Sequence, residues 1–321
     1  MAVYTEVSKA ALAAFVESYG LGRLHAFEGI TQGVENTNYR VDTDRGRYIL
    51  TLYEKRVETA DLPFFLGLME HLAARGLNCP LPVRNTHGVV LGELAGRPAA
   101  LATWLKGAWP KTQNAAQCGA LGAALAELHL DGAGFPITRK NALGINGWRP
   151  LFNRFASHAD DIAPGLRDTI ALEISYLEAH WPRTLPEGVI HADLFPDNAF
   201  FIGDKLSGIF DFYFACNDAF AYDLAVCLNA WAFNDRHAFS AEKARQLVTS
   251  YHRVRPLSTA EQAALPILAR GAALRFLLTR AYDWINTPPG AKVVRKDPQE
   301  YLTKLAFHQS VTSARAYGLE G

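Results

Sequence analysis

Three oxygen-bearing side chains stand at a spacing that suits phosphoryl transfer. In Val189-Ile190-His191-Ala192-Asp193-Leu194-Phe195-Pro196-Asp197-Asn198, an H-x-D-x-x-x-x-N pattern precedes an apolar strand that ends at Ile209-Phe210-Asp211. Moving a phosphoryl group from a nucleotide to an alcohol needs a carboxylate at the acceptor hydroxyl. It also needs two oxygen ligands for Mg²⁺ on the phosphates. Asp193 suits the first role, and Asn198 and Asp211 suit the second.

The intervening residues say how such a site would be built. Ala199-Phe200-Phe201-Ile202 and Leu206-Ser207-Gly208-Ile209-Phe210 read as strands around Gly203-Asp204-Lys205, a hairpin signal. With Asp204-Lys205 as the two-residue turn, Gly203 pairs with Leu206, and counting outward places Asn198 opposite Asp211. Directly opposed side chains have Cβ atoms roughly 4.5–5.5 Å apart, close enough to share one cation. A register shift of two keeps both on one face, whereas a slip of one separates them. Taken singly, each residue has a plainer reading, since Asn and Asp often cap turns and strand ends. His191 has two readings, a base or metal ligand and a brace for a buried loop that follows the apolar run Gly188-Val189-Ile190, and bracing is favoured.

The elements that must position these residues fall into two groups. Leu12, Phe15, Val16 and Tyr19 form a helical stripe within a helix expected over Val7–Tyr19, stopped by Gly20. Strands are expected at Ala26–Thr31, Asn38–Asp42, Arg47–Tyr53, His87–Leu91 and Pro98–Trp104, with a helix over Pro63–Arg75 among them. After Lys106-Gly107 the pattern is mainly helical. Helices are expected at Ala115–His129, Trp148–Phe155, Leu166–Trp181, Asp223–Phe233, Ala241–Tyr251, Thr259–Trp284 (with a break at Pro266 left open) and Pro298–Ala316. The reading is an α+β chain, with a small five-stranded β-rich N-lobe over 1–105 and a larger, mainly helical C-lobe over 106–321.

Composition narrows the function classes. The chain has 321 residues, 49% of them apolar and 20% charged, and its thirty-two basic residues balance thirty-two acidic ones. Formal neutrality gives no electrostatic case for nucleic acid. No apolar run approaches the roughly 18 residues of a membrane span. The opening residues lack the pattern of a secretory signal, and Cys79, Cys118, Cys216 and Cys227 are scattered. Reduced thiols and a cytoplasmic location are expected.

Between the first two strands, Gly33-Val34-Glu35-Asn36-Thr37-Asn38 could cover phosphates with backbone N–H groups. With a single glycine there, an Asn-rich turn is the alternative. Gly33 through Tyr39, Trp104-Leu105-Lys106-Gly107, the helix ending Leu128-His129, and His191 through Asp211 resemble the aminoglycoside-phosphotransferase-like kinase superfamily. Within it, Asn141-Ala142-Leu143-Gly144, Phe210 through Cys216, Tyr222 through Cys227 and Leu274 through Trp284 resemble the homoserine kinase family. The resemblance implies a bilobal protein-kinase-like fold with nucleotide between the lobes. It also implies ATP and Mg²⁺ as cofactors and L-homoserine as the small-molecule acceptor, converted to O-phospho-L-homoserine on the way to threonine. Thr103, Trp104 and Leu105 would then form the nucleotide-side hinge.

One departure stands out. Kinases carry a phosphate-contacting lysine on the third strand, and Thr51 occupies that position. Lys55 shares the strand parity of Thr51 and could supply the ammonium, or it could simply face water. Asp223 opens a helix and reads as a brace for the catalytic loop. Arg275, Arg280 and Asp283 lie on a late helix. They could bind the carboxylate and ammonium of an amino acid, although Arg280 and Asp283 at i,i+3 also suit an ordinary ion pair. Kinases for choline, an amino sugar or a thio-sugar, and a non-catalytic nucleotide-binding protein of the same fold, are the competing readings.

Overall fold

The computed structural model describes residues 4–31, 36–54, 58–287 and 295–319. The chain divides into two compact units, one of residues 1–106 with 208–213, the other of 107–207 with 214–321.

The first unit is built on a five-stranded antiparallel sheet. It contains α1 (Lys9–Ser18), β1 (Leu24–Gly29), β2 (Thr37–Thr43), β3 (Gly46–Leu52), α2 (Leu62–Ala74), β4 (Gly92–Leu94) and β5 (Arg97–Thr103), with strand order β1-β2-β3-β5-β4. Alternation along β2 and β3 sends Tyr39, Val41, Leu50 and Leu52 to the face covered by Leu12, Phe15, Val16 and Tyr19 of the first helix, and all eight are buried. The same register pairs Asn38 with Thr51.

One strand differs from expectation. The apolar run Val89-Val90-Leu91 is not a strand, because the Asn85 side chain accepts the N–H groups of His87 and Val89 and winds the segment into a turn. Pairing with β5 begins later, at Gly92 opposite Ala99, across a tight turn in which Ala95 and Gly96 both take positive φ.

The second unit is mainly helical: α3 (Ala115–Asp131), α4 (Ile145–Asn153), α5 (Leu166–His180), β6 (Glu187–Ile190), β7 (Ala199–Ile202), β8 (Lys205–Ile209, whose last two residues belong to the first unit), β9 (Cys216–Ala219), α6 (Phe220–Trp231), α7 (Ala241–Val254), α8 (Thr259–Asn286) and α9 (Gln299–Gln309). A Cβ on Gly122 would sit 2.1 Å from the carbonyl oxygen of Leu247, so glycine there lets α3 and α7 approach closely. Helix α8 starts with a capping box of Ser258 and Glu261 and runs unbroken through Pro266. Helix α9 stops at Gln309, short of the expected Ala316. Ser313 instead caps a separate 3-10 turn over Ala314–Tyr317.

Strands β7 and β8 form the expected hairpin, with its turn one residue early, at Gly203-Asp204. Gly203 has φ 62°, a conformation glycine adopts without strain. The count that set Asn198 directly opposite Asp211 therefore does not hold. Neither residue lies in a strand: Asn198 closes a 3-10 turn over Pro196–Asn198, and Asp211 follows β8 with φ 66°.

Candidate active site

The loop with the strongest chemical signature leaves a strand and is held on several sides. Strand β6 pairs with β9, Ile190 opposite Cys216, and ends immediately before His191. Ala192 takes φ 62°, a left-handed conformation that costs a residue with a Cβ roughly 1–2 kcal/mol. Its surroundings enforce that turn. Asp223 accepts the N–H of His191 at 2.7 Å and of Ala192 at 2.8 Å. Arg275 donates from Nη1 to the Ala192 carbonyl at 3.1 Å.

Asp223 lies in the first turn of α6, which starts at Phe220 rather than at Asp223 itself. Its carboxylate therefore serves the loop and not the N-terminus of its own helix. His129 meets it from α3 at 3.0 Å, and the other imidazole nitrogen of His129 lies 2.7 Å from the Tyr251 hydroxyl. Burial holds the His129 imidazole below its ordinary pKa, hence neutral, with Nε2–H donating to Asp223 and Nδ1 accepting from Tyr251. Burial pushes Asp223 up, but its hydrogen bonds outweigh that and keep the carboxyl below its usual range, hence ionised.

Asp193 emerges from this frame with its side chain 21% exposed. Its N–H donates to His191 Nδ1 at 3.3 Å. One carboxylate oxygen faces Arg275 Nη1 at 3.4 Å and the other faces Asn198 Nδ2 at 3.5 Å. Both contacts are long, so the carboxylate is oriented while keeping lone pairs for another donor. Asn198 Nδ2 donates at 2.8 Å to the Asp193 main-chain carbonyl, and its amide oxygen is an acceptor. Asp211 follows β8 at φ 66°, left-handed geometry that Asp tolerates better than most residues.

A cavity of about 560 Å³ lies beside the loop within the second unit. Phe195, Pro196 and Asp197 line it from the loop, and Arg280, Glu300 and Lys304 from α8 and α9. Arg280 bonds Glu300 and the Asp297 carbonyl. Lys304, almost fully buried, donates to Glu300 at 2.6 Å and to the Asn229 carbonyl at 2.8 Å. Burial alone would raise the Glu300 carboxyl, but Lys304 and Arg280 hold it down at about 2. Two cations thus share one carboxylate at the cavity wall. The sequence default of an Arg280–Asp283 pair gives way to Arg280–Glu300; Asp283 lies near the end of α8, where its carbonyl accepts the Thr287 N–H.

In the first unit, Gly33, Val34, Glu35 and Lys55 lie outside the described residues. The rest of that segment is engaged in polar contacts. Asn36 accepts the Glu54 N–H, and Thr37 donates to the Glu54 carboxylate at 2.8 Å. Thr51 donates to Asn38 Oδ1 at 2.7 Å. Thr103 accepts the Leu81 N–H, Trp104 lies beneath the Arg47 guanidinium, and Leu105 packs where a Cβ on Gly208 would stand.

Four participants escaped sequence reasoning: His129, Glu54, Glu300 and Lys304. Glu300 and Lys304 at i,i+4 on one helix carried a legible signal. The His129–Asp223 contact spans 94 residues and carried none.

The phosphotransferase enzyme family model matches residues 26–257. The chain belongs to the phosphotransferase enzyme family. It groups there with full-length relatives named homoserine kinase. One from Xanthobacter autotrophicus is 61% identical, covering 99% of each chain, and one from Afipia carboxidovorans is 59% identical, covering 99% of this chain and 98% of the relative. Among solved structures, an amicoumacin kinase in complex with AMP-PNP and Ca²⁺ superposes with a TM-score of 0.68 at 15% identity, covering 95% of this chain and 96% of that one. A spectinomycin phosphotransferase gives 0.68 at 12% identity, covering 97% and 98%. At such identities the likeness establishes the protein-kinase-like fold. The family and the full-length relatives make this chain a small-molecule kinase.

Proposed function

We propose that this chain transfers the terminal phosphoryl group of ATP to the side-chain hydroxyl of L-homoserine, giving O-phospho-L-homoserine and ADP. The observation that carries the reading is the Asp193 carboxylate, partly exposed and faced by Arg275 and Asn198, in the loop whose next residues, Phe195 to Asp197, line a charged cavity. Asp193 accepts the hydroxyl proton as the new O–P bond forms and the bond to ADP breaks. His191 and Asp223 brace the loop that presents it.

Asn198 and Asp211 are assigned to Mg²⁺. Their amide and carboxylate oxygens are the hard donors that this cation prefers. Among the described residues no group of three or more His, Cys, Asp or Glu is placed to hold a metal ion. Mg²⁺ is commonly held by one or two carboxylates together with water and substrate phosphates. When bound, Mg²⁺ neutralises charge on those phosphates.

Nucleotide contacts are assigned to Gly33 through Asn38, Thr51, Lys55 and the Thr103–Leu105 segment, within a nucleotide-covering lobe of residues 1–105. The catalytic and acceptor lobe is 106–321. On the acceptor side, the paired cations Arg280 and Lys304 favour a carboxylate-bearing substrate over choline or an amino sugar, whose positive charge would call for acids without an excess of cations. Asp283 is the assigned partner for the substrate ammonium.

An acceptor panel tests the reading: purified protein, Mg·ATP and hydroxyl compounds including L-homoserine, L-serine, choline and an amino sugar, with ADP release as the readout. L-Homoserine should be the best acceptor. Faster turnover of choline or the amino sugar overturns the acceptor assignment and leaves the kinase assignment standing.

A further inference from the structure

We infer that Arg275 is a positioning residue for Asp193 and does not bind the carboxylate of the acceptor. The inference rests on the proposed role of Asp193. Arg275 is 4% exposed, and a single nitrogen, Nη1, faces both the Ala192 carbonyl at 3.1 Å and Asp193 Oδ1 at 3.4 Å. Its guanidinium lies 4.0 Å from the ring centroid of Phe276 and 5.4 Å from that of Phe214, which fixes its plane and satisfies its charge.

The consequences follow from what surrounds Ala192. Asp223 on α6 takes its N–H and Arg275 on α8 takes its carbonyl, so opposite charges from two helices hold both polar groups of a left-handed residue. Without Arg275, Ala192 can relax toward ordinary φ, and Asp193, the next residue, turns with it. A substrate carboxylate placed on Arg275 would share its guanidinium with the Asp193 carboxylate. It would also lie against a like charge, which is unfavourable in a buried setting. Arg280, five residues on, lines the cavity and shares its carboxylate partner Glu300 with Lys304.

The distinguishing readout is the split between kcat and KM. Displacing a reacting group by about 1 Å can cost on the order of 10²-fold in rate, so Arg275→Met should lower kcat by about that factor. KM for L-homoserine and for ATP should stay within about twofold, because only the reacting geometry has changed. Arg275→Lys, which restores the charge and one donor, should recover part of the loss. Adding Ala192→Gly to Arg275→Met should recover part of kcat if the clamp reading holds, because glycine takes positive φ without the Cβ cost that lets Ala192 relax once its carbonyl anchor is gone.

A rise in KM for L-homoserine at unchanged kcat, or unchanged values of both, overturns the inference. If Arg275→Met fails to fold, Arg275→Lys alone decides: a kcat loss at constant KM supports positioning, and a KM increase refutes it. Should the unaltered enzyme not use L-homoserine, the proposed function fails first, and the same split is then read with whichever acceptor the panel reveals.

Discussion

His129 and Asp223, 94 residues apart in sequence, meet as a neutral imidazole and an ionised carboxylate, both fully buried, 3.0 Å apart. The carboxylate accepts three N–H donors in all, two of them from the backbone of the loop that leads to Asp193. Asparagine in its place offers one acceptor oxygen and turns an amide NH₂ toward a donor. Hydrogen bonds to a charged group contribute about 1.5–3 kcal/mol each, so Asp223→Asn should destabilise the fold by about 3 kcal/mol or more. Urea unfolding measures this, and a loss under about 1 kcal/mol would show that the three contacts do not act together.

Asp193 is in a different position, because its side chain touches little that the fold needs. Asp193→Asn should therefore leave the melting temperature near that of the parent while lowering kcat by about 10²–10⁴-fold, the range for a general base. Calorimetric binding of ATP should be nearly unchanged. Near-normal turnover in this variant would remove Asp193 from the mechanism.

The difference between these two aspartates bears on what a sequence can disclose. Asp193 and Asn198 were legible because a short local pattern sets them five residues apart in one loop, and the stripe Leu12, Phe15, Val16, Tyr19 was legible because a helix repeats its faces locally. The frame around them was not. β6 finds β9 only through a long-range pairing, and nothing near Asp223 announces that its partners are His129 and the backbone of residues 191 and 192. Local side-chain chemistry misled in places too: the Asn85 side chain turned Val89-Val90-Leu91 away from a strand, and Gly203 drew the hairpin turn forward by one residue.

The two assigned metal ligands should fail differently. Asp211→Ala removes a charged oxygen and should raise the Mg²⁺ requirement more than Asn198→Ala, which removes a neutral one. Asn198 also anchors the Asp193 carbonyl through Nδ2, so Asn198→Ala should in addition lower kcat at saturating Mg²⁺. Mg²⁺ titrations of activity check both, and parent-like curves for the two variants would unseat the assignment.

His308 is buried among Phe233, Phe307 and Tyr317, and burial, aided by Lys304, lowers its pKa to about 3. The unfolded chain, with an ordinary value near 6.5, binds this proton between about pH 6.5 and pH 3 while the folded chain does not. Stability from this group is therefore complete above about pH 6.5 and declines as pH falls, by about 1.4 kcal/mol per pH unit once well below 6.5. His308→Gln keeps an acceptor for the Tyr317 hydroxyl and does not titrate. Its unfolding free energy should fall less steeply between pH 7 and pH 5 than that of the parent, and equal slopes would assign the acid sensitivity elsewhere.

Acceptor selection should reside in Arg280, and an arginine-to-lysine change isolates it. Lysine keeps the charge beside Glu300, so the local ion pairing with Lys304 survives, but it loses the planar fork that grips a carboxylate through two parallel bonds. Arg280→Lys should therefore raise KM for L-homoserine by about tenfold, equivalent to about 1.4 kcal/mol, with KM for ATP nearly unchanged. The sharper comparison uses 3-amino-1-propanol, which has the hydroxyl and the amine but no carboxylate. The parent enzyme should discriminate strongly against it, because it forgoes the charge-assisted bonds that a carboxylate would make with Arg280. In Arg280→Lys that discrimination should shrink, since the variant loses affinity only for the acceptor whose carboxylate Arg280 holds. A parallel fall in kcat/KM for both acceptors, with their ratio preserved, would mean that Arg280 shapes the cavity wall without reading the carboxylate.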